Sequence, residues 1–290
     1  MAEFKRGLDD TFIDLLNNNY DQPDSWWRTL VEDPDVFIGI RGNELNAYYN
    51  GCSLLRLRHR RDHLVGETHF KFLIRNQPNA NYISFRDGNF DDDDLAAIEF
   101  SRDMRSDLAA IKAASKLHQG REAQGVHDVV RANFNIIDTE VVFPDEKTSR
   151  IDFAALRLGG ERPELVFYEA KHFSNSELFG DYPKVVQQVE RYRKLVSDQG
   201  RAREIRDSYS RIAANYAKLK GIDEKFQTLC QQVVTTGLEI SKAVRLVIFG
   251  ITREDQRTRR DVFDRLENLI GKDNVLVRGD PKGLVRGISQ

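Results

Sequence analysis

Apolar residues change their spacing several times along the chain, and each change predicts a different element. Phe12, Leu15 and Leu16 recur at helical intervals and are followed by Trp26 and Trp27, so residues 1–30 read as helical. From Asp35 the spacing tightens. The run VFIGI at 36–40, a turn at Gly42 and Asn43, and LNAYY at 45–49 predict a hairpin. Asn50 and Gly51 signal a second turn, and residues 53–58 alternate Leu55 and Leu57 with Arg56 and Arg58. Residues 69–74 read as a further strand. The stretch 1–94 therefore reads as a smaller α+β accessory or targeting domain built on an antiparallel meander. Its polar boundary is Asp87-Gly88-Asn89 and the aspartate run at 91–94.

Beyond that boundary, residues 95–290 form a second unit. A long helical stretch at 95–133, broken near Gly120 or Gly125, leads into strand-like segments at 136–143, 151–158 and 165–172. Helices follow at 183–196, 201–219 and 223–238, then a buried-looking strand at 244–251, a helix at 253–269 and a short closing strand at 275–277. The order is helix, three strands, helix, strand, which makes an α/β unit with a mixed sheet.

Composition narrows the class. With 40% hydrophobic and 31% charged residues, the chain has what a packed core needs and is not a disordered one. It lacks an apolar run of membrane-spanning length, and its first residues lack the apolar core of a secretory leader, so a cytoplasmic protein with no membrane contact is expected. Cys52 and Cys230 are too far apart for a cysteine metal motif. The net charge of −2 hides an asymmetry. Residues 1–104 carry 12 Lys+Arg against 19 Asp+Glu, and residues 105–290 carry 32 against 27. One half can thus present a basic face while the whole stays near neutral.

The chemistry concentrates in the predicted hairpin of residues 151–158 and 165–172. Folding it symmetrically about Gly160 and Glu161 sets Leu158 opposite Pro163, Leu156 opposite Leu165, and Ala154 opposite Phe167. Asp152 then falls opposite Glu169, and Lys171 lies on the same face, because strand side chains alternate with period two. Charges at the end of a buried hairpin are costly unless they are paired or bind a cation. Two carboxylates suit Mg²⁺, a hard ion that accepts one or two protein carboxylates together with phosphate oxygens. Such an ion with a neighbouring amine is what phosphodiester hydrolysis needs.

Asp152, sixteen intervening residues and then Glu169-Ala170-Lys171 resemble the signature of the PD-(D/E)XK nuclease superfamily. The predicted order resembles that superfamily's restriction-endonuclease-like αβββαβ core. Gln188 and Tyr192, four residues apart on one helical face, are similar to the Q-x-x-x-Y motif of its RecB-type members. Ile151 stands where the motif's name has proline.

The resemblance implies Asp152 and Glu169 as metal ligands, the Ala170 carbonyl as a further ligand, Lys171 as the catalytic lysine, and Gln188 and Tyr192 at the site. It also implies an acid on the first core helix. Glu122 is the preferred candidate, with Asp128 and Glu140 behind it, and His127 is the alternative. Glu122 and His127 lie about 140° apart around a helix, so one of them at most faces the site. Mg²⁺, with Mn²⁺ as a substitute, is the implied cofactor. The implied activity is a nuclease, acting on DNA ahead of RNA, in restriction, repair or phage defence.

The series Arg191, Arg193, Lys194, Arg201, Arg203, Arg206 and Arg211 is a candidate phosphate tract, and Arg56, Arg58, Arg60 and Arg61 are candidates in the meander. His59, His63 and His69 read as surface residues. Two other classes of function stand beside the nuclease. One is a non-cleaving nucleic-acid-binding or assembly protein on the same fold. The other is an interaction protein whose hairpin charges form a salt bridge. A homo-oligomer, or a partner protein bound through the N-terminal unit, accords with each.

Overall fold

The computed structural model describes residues 3–72, 82–90, 104–144, 150–158, 160–283 and 288. Two sheets organise it. The first is a six-stranded antiparallel meander of β1 (Phe37–Ile40), β2 (Leu45–Tyr49), β3 (Cys52–Arg60), β4 (His63–His69), β5 (Tyr82–Arg86) and β6 (Asn89–Phe90), in chain order. Helices α1 (Asp10–Tyr20) and α2 (Trp26–Val31) precede it, and Trp26 and Trp27 are buried in its core. The Asn50–Gly51 turn has φ of 49° and 74°, the left-handed pair that a tight hairpin requires.

Two expectations for this half are corrected. The strand expected at 69–74 lies earlier: β4 ends at His69, Phe70–Phe72 is a 3-10 turn, and residues 73 and 74 lie outside the described ones. The reason is turn chemistry, since Arg61 takes φ 52° and closes a β3–β4 hairpin that the polar sequence around it disguises. Asp87 and Gly88, read as a boundary, instead form the β5–β6 turn with φ of 49° and 90°. The aspartates at 91–94, and residues 95–103 of the expected long helix, lie outside the described residues.

The second sheet has the strand order β11-β10-β9-β8-β7, with β7 (Ile136–Val142), β8 (Arg150–Leu158), β9 (Pro163–His172), β10 (Glu239–Phe249) and β11 (Val275–Val277). β7, β8 and β9 are antiparallel, whereas β10 and β11 run parallel to β9, so the sheet is mixed. Helix α3 (Met104–Ser115) and a 3-10 turn lead to α4 (Arg121–Ala132). The break falls at Gly120, the N-cap of α4, and Gly125 lies inside the helix.

Helices α5 (Lys184–Ser197), α6 (Gln199–Lys218) and α7 (Glu224–Thr236) connect β9 to β10. The stretch 253–269, expected as one helix, is two: α8 (Arg253–Thr258) and α9 (Arg260–Ile270). Val185, Val189 and Tyr192 of α5 share a core with Leu156, Leu165 and Phe167. On the other side, Val129 and Val130 of α4 pack with Phe153, Tyr168 and Phe249.

The apolar core is continuous across the two sheets, joining Leu55 and Leu57 of the meander to Phe167 and Leu246 of the second sheet. Polar contacts reinforce it. Asn215 of α6 bonds both the N–H (2.8 Å) and the carbonyl (3.2 Å) of Leu8, and the Tyr216 hydroxyl donates to the Ile38 carbonyl. Asp138 of β7, fully buried, binds Arg6 at 2.8 Å, Arg41, and the Tyr209 hydroxyl at 2.9 Å.

Candidate active site

The β8–β9 register pairs Leu158 with Pro163, Leu156 with Leu165, Ala154 with Phe167 and Phe153 with Tyr168. One step further along this ladder brings Asp152 level with Glu169. The Asp152 carboxylate accepts the Ala170 N–H at 2.7 Å, which caps the end of the ladder with a charged group. In an extended residue the N–H and C=O point to the same side, so the Ala170 carbonyl also turns toward β8.

Asp152, Glu169 and Lys171 have the parity of Leu165 and Phe167, the face covered by α5. Glu169 and Lys171 are only 2% and 7% exposed. The Lys171 Nζ lies 2.9 Å from Glu169 Oε1, 3.1 Å from Glu177 Oε2 and 3.7 Å from Glu122 Oε1. Glu122 enters from the first turn of α4, where the helix dipole favours an acid, and its other oxygen accepts from the Asn175 amide at 2.6 Å.

Electrostatics follow from this crowding. Burial pushes the Asp152 carboxyl well above the usual carboxylate range, and the charge of Glu169 adds to the shift. Burial likewise raises Glu169, while Lys171 opposes the rise. For Lys171, burial favours the neutral amine but the surrounding carboxylates prevail, so its proton is held more tightly than in free lysine. Oε2 of Glu169 is buried without a hydrogen-bond partner. A buried orphan carboxylate oxygen beside a second reluctant carboxylate is a place where a cation lowers the energy of both.

The donors fit a hard divalent ion: two carboxylates and a backbone carbonyl, with the remaining positions left for water and phosphate oxygens. Among the described residues, no group of three or more His, Cys, Asp or Glu side chains is arranged around one ion position. Asp152 reaches solvent, lining a cleft of about 390 Å³ together with Glu122, Thr139, Glu140 and Arg150.

Other expected residues fall in different places. The Tyr192 hydroxyl donates to the Arg150 carbonyl at 3.0 Å and so fastens α5 to the start of β8. A phenol 2% exposed must satisfy its hydroxyl locally, and burial pushes its pKa up to about 12. Gln188, one turn earlier, has a buried side-chain oxygen without a partner. His127 lines the same cleft as Asp152, with its Nε2–H donating to the Asp35 carbonyl at 2.8 Å. Asp128 is raised by burial and senses Lys282 and Asp280. Glu140 pairs with Arg150 at 3.0 Å beside the cleft.

Of the α5–α6 basic series, Arg203, Arg206 and Arg211 are exposed, while Arg193 and Arg201 are held by other parts of the chain. Arg193 donates to the Ile270 carbonyl at 2.6 Å, and Arg201 pairs with Glu204 at 2.6 Å with its side chain 9% exposed. Arg191 lies over the Tyr192 ring, 5.3 Å from its centroid, while Lys194 is exposed.

Glu177 and Asn175 are site residues that the sequence pattern does not reveal. They lie in the loop after β9, where the Asn175 side chain accepts the Glu177 N–H at 2.9 Å. The Asn-x-Glu spacing signals such a local turn, but nothing in the sequence tells that the turn folds back onto Lys171. No protein-family model, curated protein or solved structure matches this chain.

Proposed function

We propose that this protein is a metal-dependent nuclease of the PD-(D/E)XK type, hydrolysing phosphodiester bonds in DNA ahead of RNA, with the mixed sheet as its restriction-endonuclease-like core. The observation that supports it most is the meeting of Asp152, Glu169 and Lys171 at the end of one hairpin, with the acids destabilised and Glu169 Oε2 left without a donor. Asp152, Glu169 and the Ala170 carbonyl are the groups that would hold Mg²⁺ or Mn²⁺. Bound there, the ion would supply charge neutralisation at the phosphate and acidify water.

Lys171 keeps its proton in this surrounding, so its role is that of a donor: it orients water and binds phosphate oxygens as negative charge grows on them. Glu177 and Glu122 hold the ammonium in place. Tyr192 positions β8 through the Arg150 carbonyl, and so positions Asp152 two residues on.

The ring of carboxylates around Lys171 favours a second reading, in which these charges only fasten the β9 loop to α4 in an interaction protein. Incubating plasmid and linear DNA with Mg²⁺, Mn²⁺ or EDTA separates the two. The nuclease reading expects metal-dependent cleavage that falls by at least about a hundredfold in Asp152→Ala and in Lys171→Ala. Cleavage that survives both substitutions, or none with either metal, rejects it.

A further inference from the structure

A basic cleft lies beside the acid site. It has a volume of about 680 Å³ and opens between the N-terminal segment, the meander and the β7–β8 end of the second sheet. Lys5, Arg6, Arg41, Arg56, Lys71 and Arg150 line it against Glu3 and Glu140; with Asp138 on Arg6 and Arg41, and Glu67 3.4 Å from Arg56, the six cations keep a net of +2 in a chain whose net charge is −2. Arg6 and Arg41 share the single carboxylate of Asp138, so one of the two positive charges is not balanced within that cluster. Such a charge, held against low-dielectric protein, attracts an anion more strongly than a mobile surface lysine does.

Tyr82 also lines the cleft. It is 44% exposed, and the Arg56 guanidinium lies 5.2 Å from its ring centroid. Tyr48, Gly51, Glu140 and Arg150 line both this cleft and the smaller one that Asp152 reaches, so the two adjoin.

From this arrangement we infer that the cleft holds an unpaired stretch of nucleic acid, with phosphates on the basic side chains and a base against Tyr82, and leads it to Asp152. A row of cations beside an exposed aromatic face is the combination that binds single strands without sequence preference. Size excludes a double helix from the inner end. The smaller cleft, at about 390 Å³, is of small-molecule dimensions, room for a nucleotide and not for two paired strands with both backbones. The destination of the strand rests on the nuclease reading; its binding in the cleft does not.

The test is fluorescence anisotropy in EDTA, where no cleavage intervenes, on the full chain with a labelled oligothymidylate of about a dozen nucleotides. The paired variant Arg56→Ala/Lys71→Ala is expected to weaken binding at least tenfold and to flatten its salt dependence, by about 0.7 in the log–log slope for each phosphate no longer neutralised. Tyr82→Ala is expected to weaken it by about fivefold or more. Arg260→Ala, on the exposed surface of α9, should leave it unchanged. A blunt duplex of the same length should bind more weakly and be indifferent to Tyr82. Should the paired variant fail to fold, Lys5→Ala combined with Tyr82→Ala tests the same tract.

Binding that ignores the cleft substitutions, or a duplex that binds tighter than the single strand and shares their effect, overturns the inference. Metal-dependent cleavage with cleft-insensitive binding sinks this inference alone. Cleft-dependent binding without cleavage under either metal sinks the nuclease reading alone.

Discussion

In the proposed metal-binding role, the chemistry asked of Asp152 and the stability of the fold pull apart. The Asp152 charge is opposed by burial and by Glu169, and is favoured by the Ala170 N–H and then by the charge of Lys171. Asp152→Asn keeps an acceptor for that N–H and removes the repulsion. Its thermal midpoint in EDTA should rise by about 2 °C, corresponding to about 1 kcal/mol, while the cleavage expected under the proposed nuclease reading is lost. Added Mg²⁺ should raise the midpoint of the wild type and leave the variant's unchanged, a readout independent of activity. An unchanged wild-type midpoint at millimolar Mg²⁺ would count against the ion site.

His127 makes a different statement at the same scale. Burial lowers its pKa from 6.5 to about 4, and its ring donates to the Asp35 carbonyl as the neutral form. The folded pKa is depressed, so the unfolded chain takes up the proton first. The stability contributed is complete above pH 6.5 and is lost as pH falls toward 4. Between pH 7 and pH 5 the wild type should lose about 2 kcal/mol more than His127→Gln in urea titrations.

At the scale of elements, the hairpin register does the positioning. A slip of one residue between β8 and β9 would send Asp152 and Glu169 to opposite faces. Leu156 and Leu165 on one face, and Phe153 stacked on Tyr168 at 4.9 Å on the other, hold the register by filling both cores at once. Helix α4 delivers Glu122 by lying close on the sheet. Gly125 makes that approach feasible, because a β-carbon there would overlap the Phe249 ring. Gly125→Ala should therefore cost about 1–3 kcal/mol despite alanine's better helix propensity. Under the proposed nuclease reading it should also reduce cleavage more than a surface change of equal cost, since α4 must move and carry Glu122 with it. Denaturant midpoints compared with single-turnover rates check both outcomes.

For the whole molecule, the decisive contact is Asp138. Arg6 and Arg41 come from the N-terminal third, Tyr209 from α6 and Asp138 from β7, so a single carboxylate ties three distant parts of the chain. Asp138→Asn leaves two guanidiniums facing each other in the interior and should cost about 3–5 kcal/mol. Tyr209→Phe should cost about 1 kcal/mol. Because the core runs unbroken through both sheets, wild-type unfolding followed by fluorescence and by circular dichroism should coincide in one transition. Two separated transitions would show that the sheets unfold independently.

The alternation of Leu55 and Leu57 with Arg56 and Arg58, the apolar runs of the second sheet and the symmetric loop around Gly160 are enough to read the meander, the mixed sheet and the pairing that levels Asp152 with Glu169. These depend on periodicity and short-range turn chemistry, which a chain carries locally. Residues 63–69 are not legible, because an arginine in a left-handed turn gives no such signal. Packing between distant segments alone decided the rest. It brought Glu177 and Asn175 back onto Lys171, turned His127 to the Asp35 carbonyl, bound Arg193 to Ile270, and set the basic meander edge against the acid hairpin. Side-chain partners far apart in sequence follow from which surfaces exclude water together, and no local pattern encodes that.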